Sequence, residues 1–305
     1  MAKLLSVPAM VLATTLLFSS PLARAQQGQG AGPQRPPRAV YDFDFPNERP
    51  LPAPVHDISG IWEPAANPDA GTQAKGAQLF PSSEDVQLPA NGRPEGEPPY
   101  TALGWEAFLA NKPSVGATMV LSAVTNDPVK GGDTGYGCDP TGFPRLLLYN
   151  FRTSRIIQTP ENVVILYMFN KKWRVIPTDG QELPKEFPES RWFGYSVGRW
   201  EDNYTFVVHS GGIDDRTWLD AAGRPHSDAL QVEERYQRTD RNHLMVTVII
   251  DDPKMYTKPW TALHLSLRLQ SPTYNIGEME CAPSEIKRYN DLFANPAAGI
   301  GDKGK

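Results

Sequence analysis

Residues 260–270 read Trp-Thr-Ala-Leu-His-Leu-Ser-Leu-Arg-Leu-Gln, so that Leu263, Leu265, Leu267 and Leu269 alternate with Ala262, His264, Ser266 and Arg268. An apolar residue at every second position marks a strand with one face buried. The same grammar appears upstream. Residues 230–239 and 243–251 flank Asp240-Arg241-Asn242, and residues 192–200 and 204–210 flank Glu201-Asp202-Asn203. Each reads as a hairpin. Residues 163–169 are β-rich, Asn170-Lys171-Lys172 is turn-like, residues 173–176 follow, and Thr178-Asp179-Gly180 is a further turn signal. Two helices are expected. One spans residues 101–111, with Trp105, Phe108 and Leu109 on one face and Pro113 ending it; the other spans residues 283–294. At least seven strands with short antiparallel turns predict a mainly β fold. The expected architecture is an antiparallel, meandering β-barrel with long Pro/Gly-rich loops and one or two short helices.

Composition agrees. Thirty of 305 residues are proline, roughly twice ordinary usage, which excludes a mainly helical bundle. Hydrophobic residues make up 40 % and charged residues 21 %, enough for a packed core. The net charge is −5, and the absence of any Lys/Arg cluster argues against a nucleic-acid partner. No apolar run reaches the ~20 residues of a membrane span.

The N-terminus reads as an export signal. Met1–Lys3 is positive, residues 4–18 are mainly apolar, and Ala23-Arg24-Ala25 fits a small-x-small cleavage site. Residues 1–25 are therefore expected to be removed, leaving a mature start at Gln26 and a periplasmic or secreted protein. Residues 26–54 read as a Pro/Gln/Gly-rich disordered leader. Residues 55–295 are taken as one barrel domain, with 64–99 a long surface excursion, and residues 296–305 as a flexible tail. The two cysteines, Cys138 and Cys281, lie 143 residues apart. In an oxidising compartment they make a candidate disulfide.

Ser59-Gly60-Ile61-Trp62 is similar to the Gly-x-Trp opening of lipocalin-like (calycin-type) barrels, in which the Trp closes one end and the interior can hold one small ligand. A second resemblance covers most of residues 57–299. It rests on Cys138-Asp139-Pro140 with Gly142-Phe143-Pro144-Arg145, Tyr195-Ser196-Val197-Gly198-Arg199-Trp200, and Asp215-Arg216-Thr217-Trp218-Leu219-Asp220. It continues through Pro225-His226-Ser227, Tyr256-Thr257-Lys258-Pro259-Trp260 and Glu280-Cys281. Together these resemble a family of uncharacterised secreted bacterial proteins, abundant in acidobacteria and some proteobacteria. The resemblance implies a shared fold and export, and carries no reaction. Asn203 stands where that pattern has a Gly.

The densest polar stretch, residues 211–228, reads GGIDDRTWLDAAGRPHSD and lies between two strands. Loops held on a rigid scaffold are where binding and catalytic groups concentrate. Asp215 or Asp220 beside His226 would make an acid–base pair, the carboxylate orienting the imidazole. Glu234 shares strand parity with Val232 and is expected to face the interior as a further acid or base. Arg145, in a rigid Gly/Pro loop, and Arg216 are candidate anion clamps. Tyr256 and Lys258 could polarise a ligand oxygen, and Trp218 and Tyr195 could line the site. Each of these residues also has a purely structural reading: turn caps, internal ion pairs and barrel plugs. A serine hydrolase is disfavoured, since no Gly-x-Ser-x-Gly elbow exists. No metal centre is expected, because none of His56, His209, His226, His243 and His264 has a ligand-spaced partner. No Gly-rich phosphate cradle appears and no cofactor is implied.

The leading expectation is an exported, cofactor-independent lyase, isomerase or hydrolase acting on a small molecule, aromatic ones among the candidates. It would use a mouth built from residues 127–145, 211–228 and 252–260. The alternatives are a non-catalytic periplasmic carrier of an apolar ligand and an envelope interaction module. The oligomeric state is not readable.

Overall fold

The inward stripe of leucines organises the whole sheet. A computed structural model describes residues 50–65, 97–113, 118, 132–133, 138–148 and 153–297. Among these are nine strands: β1 Gly60–Pro64, β2 Ser154–Gln158, β3 Asn162–Tyr167, β4 Trp173–Pro177, β5 Tyr195–Trp200, β6 Thr205–Gly211, β7 Gln231–Arg238, β8 His243–Asp251 and β9 Trp260–Leu269. They form one sheet in the order β4-β3-β2-β1-β9-β8-β7-β6-β5, curled into a nearly closed barrel. Leu263, Leu265 and Leu267 of β9 face Val248, Val246 and Leu244 of β8 across the ladder, and all six are buried. The helices are short: α1 Ala102–Ala110, α2 Arg145–Leu148 and α3 Pro283–Tyr289, the last running on through a π-helical turn, Asn290–Ala294. The mainly β, antiparallel barrel expected from the sequence is therefore present, its nine strands meeting the expectation of at least seven.

The two hairpins share their turn chemistry. Asp202 Oδ1 accepts from the backbone N–H groups of Tyr204 and Thr205, both at 2.7 Å. Asp240 Oδ1 does the same for Asn242 at 2.7 Å and His243 at 3.0 Å. A short carboxylate that captures the amides two and three residues ahead fixes a tight reversal. The backbone bonds, from Tyr204 first, hold the Asp202 carboxyl below its usual range.

One end of the barrel is closed by Trp62, fully buried, whose Nε1 donates to the Ile58 carbonyl at 3.0 Å. The Arg238 guanidinium lies 4.6 Å over its ring. Gly60 has φ +142°, and a Cβ there would stand 2.4 Å from Leu269 Cδ1. Only glycine fits that approach.

Every ladder in the sheet is antiparallel. Nine strands alternating in direction leave the two edge strands, β4 and β5, running the same way. No ladder joins them among the described residues. Residues 178–194 return the chain along this seam, and Arg174 Nη2 of β4 crosses it to Ser196 Oγ of β5 at 2.7 Å.

Some boundaries differ from expectation. Residues 50–54, read as leader, are placed, and the Leu51 carbonyl accepts from Arg241 N at 2.9 Å. Residues 1–49 and 66–96, with the expected signal and most of the surface excursion, lie outside the described residues, as does most of the tail. Glu97, assigned to that excursion, is instead buried against Arg224. In α1, capped by Thr101, Phe108 is buried and Trp105 packs on the core, whereas Leu109 is exposed. Leu109 stands about 100° round the helix from Phe108 and so falls on the solvent side.

Candidate functional site

The three expected mouth segments converge at the end opposite Trp62, because β6–β7, β8–β9 and the approach to β2 all turn there. Asp252, fully buried, clamps two of them: its carboxylate accepts from Ser227 N at 2.6 Å and Ser227 Oγ at 2.8 Å. The Tyr256 hydroxyl donates to the Pro225 carbonyl at 2.7 Å. Gly142, at φ +76°, lies so close to Thr217 that a Cβ would sit 2.4 Å from its Oγ1. The third segment is thereby pressed onto the second.

Convergence does not produce the expected acid–base pair. His226 is buried, with Nε2 2.9 Å from Thr217 Oγ1 and Nδ1 3.2 Å from the Ser227 carbonyl. A carbonyl can only accept, so the proton sits on Nδ1 and Nε2 accepts from Thr217. Burial holds the imidazole below its ordinary value, against the Ser227 bond and the Asp252 charge. No carboxylate hydrogen-bonds this ring. Asp215 is exposed, and Asp220 is committed to Arg224 at 2.5 Å. Ser227 bonds Asp252 through its hydroxyl, so it is not placed as a nucleophile activated by His226.

The expected anion clamps are also occupied. Arg145, buried, holds Asp133 with two bonds of 2.7 and 2.5 Å, and its guanidinium stands 5.8 Å from the Trp218 ring. Arg216 pairs with Asp214 at 2.7 and 2.8 Å and stacks 4.3 Å over Trp192. Tyr256 spends its hydroxyl on Pro225, and Lys258 is exposed with no ion pair among the described residues. Arg224, buried, sits between Asp220 and Glu97, which it meets at 2.7 Å. Burial pushes the Glu97 carboxyl up, against the Arg224 charge. These pairs build the mouth from the described residues.

Glu234 does face the interior, as strand parity requires: it is 0 % exposed. Its carboxylate accepts from Arg174 Nη1 and Nη2 at 2.9 and 2.8 Å and from Tyr236 Oη at 2.6 Å. Arg174 also donates to Tyr167 Oη at 3.3 Å and to Ser196 and Ser210 Oγ at 2.7 and 3.0 Å. The Phe143 ring covers it at 3.8 Å. Burial works against the Arg174 charge, but Glu234 more than offsets this and pushes its pKa up. Burial also pushes the Tyr167 phenol up to about 12. The sequence reading missed Arg174, yet the signal was present. Arg174 shares inward parity with Ile176, and a cation on an inward face requires a buried partner of opposite charge.

This network reaches the surface at the seam. Between β4 and β5 lies a cleft of about 400 Å³ whose walls include Trp173, Arg174, Val175, Phe193, Tyr195 and Ser196. Trp173 and Val175 are 66 % and 51 % exposed. Tyr195 is wedged between Phe187, 5.3 Å away, and the Arg191 guanidinium at 4.3 Å. Its hydroxyl is buried without a hydrogen-bond partner among the described residues, and so is Arg174 Nε. Of the expected ligand-contacting residues, Tyr195 alone lines this cleft. Among the described residues no group of three or more His, Cys, Asp or Glu is arranged to hold a metal.

Cys138 and Cys281 form a disulfide with Cα atoms 5.5 Å apart. It ties the segment before α2 to residues 279–281, which pair with the β3–β4 turn through Asn170. No helix among the described residues is long and apolar enough to cross a membrane. No family model, curated protein or solved structure matches this chain.

Proposed function

We propose that this chain is an exported, non-catalytic carrier of a small molecule with an apolar body and one hydrogen-bond acceptor, bound in the seam cleft. The observation that carries this reading is the pair of buried donors without partners, Tyr195 Oη and Arg174 Nε, in residues that wall a cleft with Trp173, Val175 and Phe193. Buried donors are almost always satisfied, so orphans beside a concavity call for an acceptor from outside. The volume is in the range of small-ligand sites. Saturation of His226, Asp220, Glu234, Arg145 and Arg216 by protein partners favours retention over turnover. The export-signal features of residues 1–25 and the disulfide support a periplasmic or secreted location. Membership of the secreted bacterial family belongs to the same proposal, on its motifs alone.

The test is native mass spectrometry of the chain starting at Gln26, incubated with an extract of its own culture and with a panel of aromatic and aliphatic ketones and acids. A compound retained unchanged, and lost in Tyr195→Phe and Trp173→Ala, supports the carrier. A compound consumed, with turnover lost in His226→Gln, replaces it with the acid–base enzyme. If nothing is bound or altered, the cleft is not a ligand site.

A further inference from the structure

The end of the barrel closed by Trp62 carries a larger concavity, a groove of about 980 Å³ that shares no residue with the seam cleft. It lies between the start of β1, strand β2, the β7–β8 turn and the residues that follow β9. Arg155, Arg238 and Arg241 line it. Asp57 is the only carboxylate among the described lining residues, and it is occupied by Ser59, accepting from its N at 2.7 Å and its Oγ at 2.5 Å.

None of the three forms a salt bridge among the described residues, and the Asp57 and Asp240 carboxylates offset the Arg238 charge only in part, through space. Arg155 donates to the Pro272 carbonyl at 3.1 Å. Arg238 donates to the carbonyls of Asp240, Asp57 and Ser59 at 3.0, 3.2 and 3.4 Å, and to that of Arg241. Carbonyl oxygens satisfy the guanidinium protons and leave its charge standing. Arg241, on the turn that Arg238 pins, is exposed. In a chain of net charge −5, such a cluster makes a local positive field in a low-dielectric recess. Apolar side chains stand among the arginines: Ile61, the cross-strand partner of Arg155, with Leu269 and Ile157, the last 41 % exposed.

We propose that this groove binds an amphipathic anion, a molecule with a carboxylate or phosphate head and an apolar chain. The head meets the Arg155 and Arg241 guanidinium groups, whose fork matches planar and tetrahedral oxyanions. The chain lies along Ile157 and Leu269. Carboxylate and phosphate heads share this chemistry, and the probes separate them.

Dodecanoate, dodecyl phosphate, dodecanol and inorganic phosphate are titrated calorimetrically into the chain starting at Gln26. The two charged amphiphiles are expected to bind at least about tenfold more tightly than dodecanol, a difference of about 1.4 kcal/mol, and inorganic phosphate without a chain is expected not to bind. Whichever head binds more tightly names the source. Arg155→Ser and Arg241→Ser, both outside the core, are each expected to weaken dodecanoate about tenfold and to flatten its salt dependence, with circular dichroism unchanged. Tyr195→Phe leaves this binding unaltered, which keeps it separate from the seam. Equal affinity for dodecanol and dodecanoate overturns the proposal, as does indifference to both arginine variants. Loss of dodecanoate binding in Tyr195→Phe overturns it too, by moving the amphiphile to the seam.

Discussion

Arg174 of β4 and Glu234 of β7 meet inside the barrel in a two-pronged bond of 2.8 and 2.9 Å, with side chains 3 % and 0 % exposed. Removing one partner strands a buried charge, whereas removing both does not. Glu234→Leu alone is expected to cost about 3–5 kcal/mol, and Arg174→Met with Glu234→Leu distinctly less than the sum of the singles. Urea unfolding of the four species measures this. Additive losses would mean the pair is not coupled.

Trp62 is expected to carry the closed end. Trp62→Ala removes a fully buried ring and should cost about 3–5 kcal/mol. Trp62→Phe keeps a face for Arg238 and loses the bond to Ile58, so it should cost less. A thermal melt in which the two substitutions are equivalent would show that the ring's bulk contributes nothing.

His226 is expected to give an acid limb to stability. Its imidazole is held below the ordinary value by burial, so the unfolded chain binds the proton more readily. Stability is then full above about pH 6.5, the unfolded value. It falls as pH drops from there toward the lower folded value. The slope reaches up to about 1.4 kcal/mol per pH unit for one proton. His226→Gln should remove this limb while leaving stability at pH 8 lowered and flat. Denaturant midpoints from pH 8 to pH 5 check the sign, and a limb that persists in the variant assigns it to another group.

The disulfide is expected to be structural. Closing 143 residues is worth on the order of 4–5 kcal/mol at most in the loop-entropy picture. Cys138→Ser with Cys281→Ser should lower the melting temperature without altering the sheet. Intact mass with and without reductant gives the pairing, and two free thiols in the purified protein would remove the bridge.

Gly142→Ala should act at a distance in sequence but not in space. Its Cβ collides with Thr217, the residue that donates to His226. Backbone strain at φ +76° adds roughly 1 kcal/mol or more. Proton NMR of the His226 ring should shift with this substitution and not with Gly180→Ala, where the space is open.

The sheet was legible because alternation is a one-dimensional signal. Leu263 through Leu269, and Val232 with Glu234 and Tyr236, declared their faces without any neighbour. The hairpin turns were legible through Asp202 and Asp240, whose chemistry is local. The pairing of the polar groups was not. Asp215, Asp220 and His226 crowd one loop, and proximity in sequence suggested an acid–base couple. The loop instead distributes them: Asp220 turns back to Arg224, Asp215 faces water, and His226 finds Thr217. The carboxylates that hold Arg224, Arg145 and Ser227 in this rim, Glu97, Asp133 and Asp252, lie 127, 12 and 25 residues away. Such contacts depend on which loops the barrel rim brings together. Arg174 lay within reach of the parity argument, since an inward cation in β4 and an inward carboxylate in β7 are mutually required.

The odd strand count gives the barrel an asymmetric mechanical character. A ring with an even number of alternating strands is a hoop, held around its whole girth by peptide bonds to peptide bonds. Here the guanidinium of β4 spans the gap to Ser196 of β5, Ser210 of β6 and Glu234 of β7, so side chains help decide the circumference of the molecule. Whatever frees Arg174 from all three of these strands loosens the hoop toward a strip.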